Sequence, residues 1–416
     1  MGRVKELLLE MQERENWPSG LEDKYVCASH FTDKYLREWI NSSAKDGVCS
    51  YCGCKCQVAN MQDFGEHIAF KVNSQYNDVH DADLYYADDF YNEDGHIVHG
   101  LKDFCGYAVP SEAECFESTR ELLEHLDFSV DDDNLQKDVE SIFKTQKWVS
   151  RDILSTEEMD VLMSDMWDKF SDMVKHQRRF TFLADHRFIR ILTKPKEMGP
   201  KEDSNILSVL KSLINQVGLI AFMNTDDVFY RVRKLDELEN KYGFKDITSP
   251  SDDKAFNNRM SPAGISMFYA SFNKEIAKNE ASGDDPKGIL IGKFRPKRRL
   301  RLVDLTAIPN DLSFWMNYYQ ENKFLNKFIK EVTKPIGSKD KDIEYVPTQI
   351  FTEYIRYMFK DYKGKGMDGI IYSSSKSSKE KNLVLFCNQE ESKEFVELAE
   401  PIELYTKKWA KVNEWK

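Results

Sequence analysis

"NNRMSPAGISMFYASFNKEIAKNE", residues 257–280, decides how the C-terminal half of the chain is read. Pro262 and Gly264 mark a turn. "SMFYAS" then has the composition of a short strand, and "NKEIAKNE" reads as a helix. Arg259 stands before the turn, Tyr269 on the apolar run, and Glu280 eleven residues later at the far end of the helix. One supersecondary unit therefore offers a cation, a ring and a carboxylate in that order.

The surrounding pattern is strand-like. "VFYRVRKL" alternates from residue 228, and "GILIGKF" and "RLRLVDL" follow with period two. "DGIIYSSS" and "NLVLFCN" read as a hairpin around a Lys/Ser-rich loop. Helices are expected at about 312–333 and 347–361, so this half is a mixed sheet with flanking helices. Upstream, "TKPKEMGPKEDSN", residues 193–205, has no apolar period and reads as a linker. Before it, "LSTEEMDVLMSDMWDKFSDMVKHQRRF" has a capping box, Ser155 with Glu158. Met163, Met166, Trp167, Phe170, Met173 and Val174 then recur on one helix face. Most of the stretch before it is expected to be helical, although "EHIAFKVN" and "DADLYYADDFYNEDG" fit neither period. The fold class is α+β.

A net charge of -12 over 416 residues argues against a general binder of nucleic acid or of membrane surfaces, which needs excess Lys and Arg. No apolar run reaches transmembrane length. "MGRVKELLLEMQEREN" is an amphipathic, charge-rich helix without the apolar core of a signal peptide. It carries Glu where a myristoylation signal wants Ser or Thr. The chain reads as cytoplasmic, without a membrane partner.

Five of the eight cysteines fall between residues 27 and 56, a clustering that suits metal ligation in a reducing compartment. Cys27-x2-His30 and Cys49-x2-Cys52 are two chelating pairs, and three thiolates with one imidazole make a closed tetrahedral zinc site of structural type. Cys54 and Cys56 stand as alternatives to His30 or Cys52. Arg179 and His186, six residues apart, fit the loose Arg/His pattern of HEPN ribonucleases, in which a cation holds a phosphate and an imidazole moves a proton.

Taken in order, "FYRVR", "NRMSPAGISMFYAS", Glu280, "PTQIFTEYIR" and "GMDGIIYSSS…NLVLF" resemble the RES domain, over about residues 225–390. The cysteine knuckles followed by helices are similar to the HEPN/RES N-terminal domain, though the first knuckle here is Cys-x2-His. The resemblance implies an ADP-ribosyltransferase-like fold acting on NAD+, in bacterial toxins that deplete NAD+ or transfer ADP-ribose to a macromolecule. It also implies an inhibitory antitoxin or immunity protein, with self-assembly or phage infection as other means of control. Domains would then run over 1–70 (N-terminal helix and zinc knuckle), 71–200 (helical, HEPN-like) and 215–416 (RES). By position, Arg231, Arg259, Tyr269, Glu280 and Ser374 match the family pattern, with Tyr230 and Asn382 as companions and Glu275 as the alternative acid.

The residue types suit the chemistry. NAD+ already carries a cationic leaving group, so splitting its nicotinamide–ribose bond calls for charge compensation at an oxocarbenium-like carbon rather than for a general acid. A carboxylate supplies that compensation, arginine forks suit the diphosphate, and a tyrosine ring fixes the sugar or nicotinamide. Competing expectations are a ribonuclease built on Arg179 and His186, and a non-catalytic module that senses NAD+ or ADP-ribose.

Overall fold

The computed structural model describes residues 18–151, 159–181, 206–281, 286–406 and 411–415, apart from 83, 93, 145–146, 240, 310, 338–339, 362 and 375–376, with backbone alone at 279–281, 377–379 and 411–415. The N-terminal amphipathic stretch, the Ser155–Glu158 capping box, His186 and the 193–205 linker lie outside the described residues. Two compact units result. One takes the chain up to 158 together with Asp311–Tyr319, and the other takes Met159–Asn310 and Gln320–Lys416.

In the first unit, β1 (Tyr25–Cys27), β2 (Lys45–Val48) and β3 (Lys55–Asn60) form an antiparallel sheet in the order β1-β3-β2. The Asp33 carboxylate accepts from the backbone N–H groups of Tyr35 and Leu36 and so starts the Lys34–Ser43 helix. Asn60 caps Met61–Gln75 in the same way. Phe64, Ile68 and Val72 recur every four residues along that helix and are fully buried in one core with Leu36 and Trp148. The expected boundary near residue 70 therefore falls inside a single packed helix, which also absorbs "EHIAFKVN".

The next stretch was expected to be mostly helical, and it holds the helices Thr119–His125 and Asp133–Ile142 together with six short strands. The strands are β4 (Tyr76–Asp78), β5 (Tyr85–Tyr86), β6 (Leu101–Phe104), β7 (Tyr107–Pro110), β8 (Cys115–Phe116) and β9 (Trp148–Ser150). They form two sheets, β4-β9-β8 and β5-β7-β6. Strands of two to four residues are too short to display a period, which is why pattern reading passes over them. The segment Asp311–Tyr319 also differs from expectation. Tyr318 has φ 59°, so the helix expected from 312 begins at Tyr319, and Trp315 ahead of it is buried in this unit's core with its indole N–H on the Leu126 carbonyl at 3.0 Å.

The second unit is built on one sheet of ten strands. They are β10 (Ile220–Met223), β11 (Phe229–Leu235), β12 (Phe268–Ser271), β13 (Gly288–Pro296), β14 (Leu300–Asp304), β15 (Gly369–Ser374), β16 (Ser377–Leu385), β17 (Val396–Leu398), β18 (Ile402–Thr406) and β19 (Lys411–Trp415). The order is β10-β14-β15-β16-β12-β11-β13-β18-β19, with β17 also on β13, and only β14 with β15 runs parallel. Strand alternation divides the side chains between two cores. Val303, Ile370 and Val384 pack under the helices Met159–His176, Ile206–Val217, Tyr319–Thr333 and Val346–Tyr357. Phe229, Phe268, Leu302, Leu383 and Leu385 fill the opposite face. The apolar stripe expected on Met159–His176 is buried from Met163 to Val174. Among the described residues no helix is long and apolar enough to cross a membrane.

Candidate active site and metal centre

The sheet splits at β11. Its pairing with β12 is limited to Tyr230 opposite Ser271, and the strands diverge beyond that point. A cleft of about 220 Å³ opens there, lined by Tyr230, Arg231, Val232 and Lys234 of β11, Tyr269, Ala270 and Ser271 of β12, Ala277 and Tyr372. Ala277 belongs to the helix Lys274–Ala281, which follows β12 and supplies one wall.

Arg231 holds the split in shape. Its Nη1 donates to the Tyr269 carbonyl at 2.6 Å and its Nε to the Thr248 carbonyl at 3.1 Å, with the guanidinium 5.1 Å from the Phe268 ring centre. A carbonyl that loses its ladder partner where strands part must find another donor, and a charged guanidinium is a strong one. Burial lowers the Arg231 pKa to about 10, which leaves it charged at neutral pH. Among the described residues Nη2 makes no hydrogen bond, so one prong of the fork remains for a ligand. The Tyr269 hydroxyl sits 2.9 Å from Ser261 Oγ, and burial holds this phenol well above its usual pKa, hence neutral.

Ser374 and Asn382 are buried outside the cleft lining, Asn382 on the same sheet face as the cleft tyrosines and Ser374 beyond a shift of register after Ser373. Asn382 lies directly across from both Ser271 and Tyr372, and Ser374 is two residues along β15 from Tyr372. Glu280 lies on the Lys274–Ala281 helix, one turn beyond Ala277, and its side chain is outside those described. Glu275 is on another face of that helix, exposed, with Oε1 3.0 Å from Lys278 Nζ.

Arg259 does not line the cleft. Its Nη1 and Nη2 donate to the carbonyls of Val332 and Lys334, each at 2.7 Å, and its guanidinium stacks 5.2 Å from the Tyr345 ring centre. It closes the C-terminal end of the Tyr319–Thr333 helix, where orphan carbonyls and the negative end of the helix dipole favour a cation. Arg259→Met is expected to cost about 2 kcal/mol, from the charged hydrogen bonds it removes, and to lower the melting temperature by about 4–8 °C in calorimetry. A fork bound to phosphate alone would leave the melting temperature of the free protein unchanged. Sequence reasoning missed Val232, Lys234, Ser271, Ala277 and Tyr372. Period-two stepping from Tyr230 reaches Val232 and Lys234, and stepping back from Ser374 reaches Tyr372.

The cysteine knuckle assembles the four residues that the spacing pairs. Ligand atoms of Cys27, His30, Cys49 and Cys52 all lie within 4.8 Å of one another. Cys27 Sγ is 3.7 Å from Cys52 Sγ, and Cys49 Sγ is 3.3 Å from His30 Nε2. A tetrahedral ion with bonds of about 2.3 Å to sulfur and about 2.0 Å to nitrogen places such atoms about 3.5–3.8 Å apart, so the group fits a metal ion. His30 Nδ1 meets Asp131 Oδ1 at 2.5 Å, an arrangement that turns Nε2 toward the thiols. Cys54 is exposed, and the half-buried Cys56 directs its thiol to the Cys54 carbonyl at 3.6 Å.

Of the ribonuclease pair, Arg179 is exposed just past the Met159–His176 helix, and His186 lies outside the described residues. The family model described as RES domain matches residues 228–406, and that described as HEPN/RES N-terminal domain 1 matches residues 42–188. No curated protein matches the chain.

Proposed function

We propose, for a chain that carries a RES domain behind a HEPN/RES N-terminal domain 1, that the β11/β12 cleft binds NAD+ and splits its nicotinamide–ribose bond. RES domains are associated with NAD+ processing and with toxin–antitoxin systems. The observation that carries the reading is the convergence of Tyr230, Arg231 and Tyr269 on one cleft whose wall is the helix bearing Glu280. A sheet that splits to admit a dinucleotide agrees with an ADP-ribosyltransferase-like fold.

In this reading the free prong of Arg231 takes a phosphate oxygen, and the rings of Tyr230 and Tyr269 pack on the nicotinamide riboside. Ser374 and Asn382 fix the strand ends beneath it. The Glu280 carboxylate faces the sugar carbon as the C–N bond stretches, and nicotinamide departs neutral with the bonding pair. An acceptor oxygen from water, phosphate or a macromolecule then closes on that carbon and gives its proton to the carboxylate. Arg259 contributes by fixing the Tyr319–Thr333 helix instead of binding the diphosphate directly. The knuckle holds a structural zinc, its four protein ligands leaving no position for substrate. Unrestrained turnover would exhaust the cell's NAD+, so the reading includes a bacterial toxin or antiphage effector held in check by an antitoxin or immunity protein.

The test is incubation of purified protein with NAD+, with and without inorganic phosphate, followed by mass identification of products. Nicotinamide together with ADP-ribose or its 1''-phosphate is expected. Saturable NAD+ binding with no product over hours would replace catalysis by sensing, and neither binding nor product would sink the reading.

A further inference from the structure

The helix that forms the cleft wall is tied by a second set of contacts to β18, two strands beyond β11 on the same sheet face. Lys274 Nζ meets Glu403 Oε2 at 2.5 Å, and Lys278 Nζ lies 4.7 Å from the centre of the Tyr405 ring. Lys274 is itself 5.9 Å from that ring, and the Tyr405 hydroxyl donates to Glu403 Oε2 at 3.1 Å. Glu403 and Tyr405 both belong to β18, which pairs with β13 and has no ladder to β11 or β12. Lys274 and Lys278 are four residues apart and share a helix face, whereas Ala277 lies on the neighbouring face that lines the cleft. Two lysines gripping one ring and one carboxylate fix both the rotation and the axial position of an eight-residue helix that has little propensity to hold itself. Lys274 and Glu403 are each largely shielded from water, with side-chain exposures of 32% and 16%, so this pair is worth more than a surface bridge.

We infer that Glu403 and Tyr405 are positioning residues which, acting through Lys274 and Lys278, set how the Lys274–Ala281 helix, the element that carries Glu280, is held against the cleft. The inference rests on the reading of the cleft as an NAD+-cleaving site. A misplacement of the order of 1 Å in a catalytic group can cost about a hundredfold in rate. Tyr405→Leu is therefore expected to lower kcat for nicotinamide release by about ten- to a hundredfold while KM for NAD+ stays within twofold. Tyr405→Phe, which keeps the ring, should retain at least half the wild-type rate. Lys278→Gln removes the same grip from the solvent side without touching the sheet, and should move kcat in the same direction. Amide hydrogen exchange over residues 274–281 should accelerate in Tyr405→Leu and Lys278→Gln and stay at the wild-type rate in Tyr405→Phe. Wild-type kcat together with wild-type exchange in both of the first two variants would overturn the clamp. If the wild-type chain releases no nicotinamide, the cleft reading falls, and the exchange rates alone then decide whether β18 holds the helix.

Discussion

Glu280→Gln is expected to lower nicotinamide release from NAD+ by about a thousandfold in kcat, with the melting temperature unchanged, and Glu275→Gln to leave the rate within twofold. Both glutamates lie on the Lys274–Ala281 helix, so spacing from Tyr269 alone does not separate them. Helix geometry does. Glu280 is three residues beyond Ala277, about 60° away around the axis, while Glu275 is two residues before it, about 160° away. Ala277 lines the cleft, and Glu275 is 70% exposed and bound to Lys278. Glutamine keeps the shape and hydrogen-bonding reach of the glutamate and removes only the charge. A collapse in kcat with KM nearly constant would then isolate the stabilisation of positive charge at the sugar carbon. Equal activity of Glu280→Gln and wild type, measured by nicotinamide release, would remove this carboxylate from the chemistry.

Much of that site was legible because strands announce their faces. Period-two runs and short apolar runs located β11 to β16, but that Tyr230 and Tyr269 share a face follows only from the pairing of Tyr230 with Ser271, which no single strand's pattern contains. What escaped is whatever depends on backbone divergence and on carbonyl accounting. The split after Tyr230 and Ser271 leaves no mark in composition, so Arg231 read as a plain phosphate ligand although two of its donors hold Tyr269 and Thr248. Arg259 had the right residue type in the right order, but its forks serve the end of a helix some seventy residues downstream. The N-terminal unit was read less well for another reason. Its strands are shorter than one recognisable repeat, and its core borrows Trp315 from the other end of the chain, a pairing no local window reveals.

The metal reading was legible because chelation imposes its own spacing, and it carries the other large effect. Removing zinc by strong chelation, or Cys49→Ser, is expected to lower the melting transition of the N-terminal unit by about 10 °C or more, with one zinc per chain lost by elemental analysis. Cys27 and Cys49 are buried at 4% and 1% exposure, so without an ion their sulfurs are left with weak thiol contacts to Ser29, Cys52 and the His30 ring. The strands they terminate, β1 and β2, are short and meet only through β3, so an ion held there would supply cohesion that a sheet of three or four residues per outer strand lacks. The rest of the unit has its own packed core around Phe64, Trp148 and Trp315, which sets a limit on the damage: the loss should be a downward shift of a still cooperative transition. Cys105→Ser is the control, because Cys105 is exposed between β6 and β7, outside the four-ligand group, and its loss should leave zinc content at one per chain. A chain that binds no zinc in unchelated form, or that keeps its full zinc in Cys49→Ser, would show that the four residues close on one another without an ion and that the knuckle is held by packing.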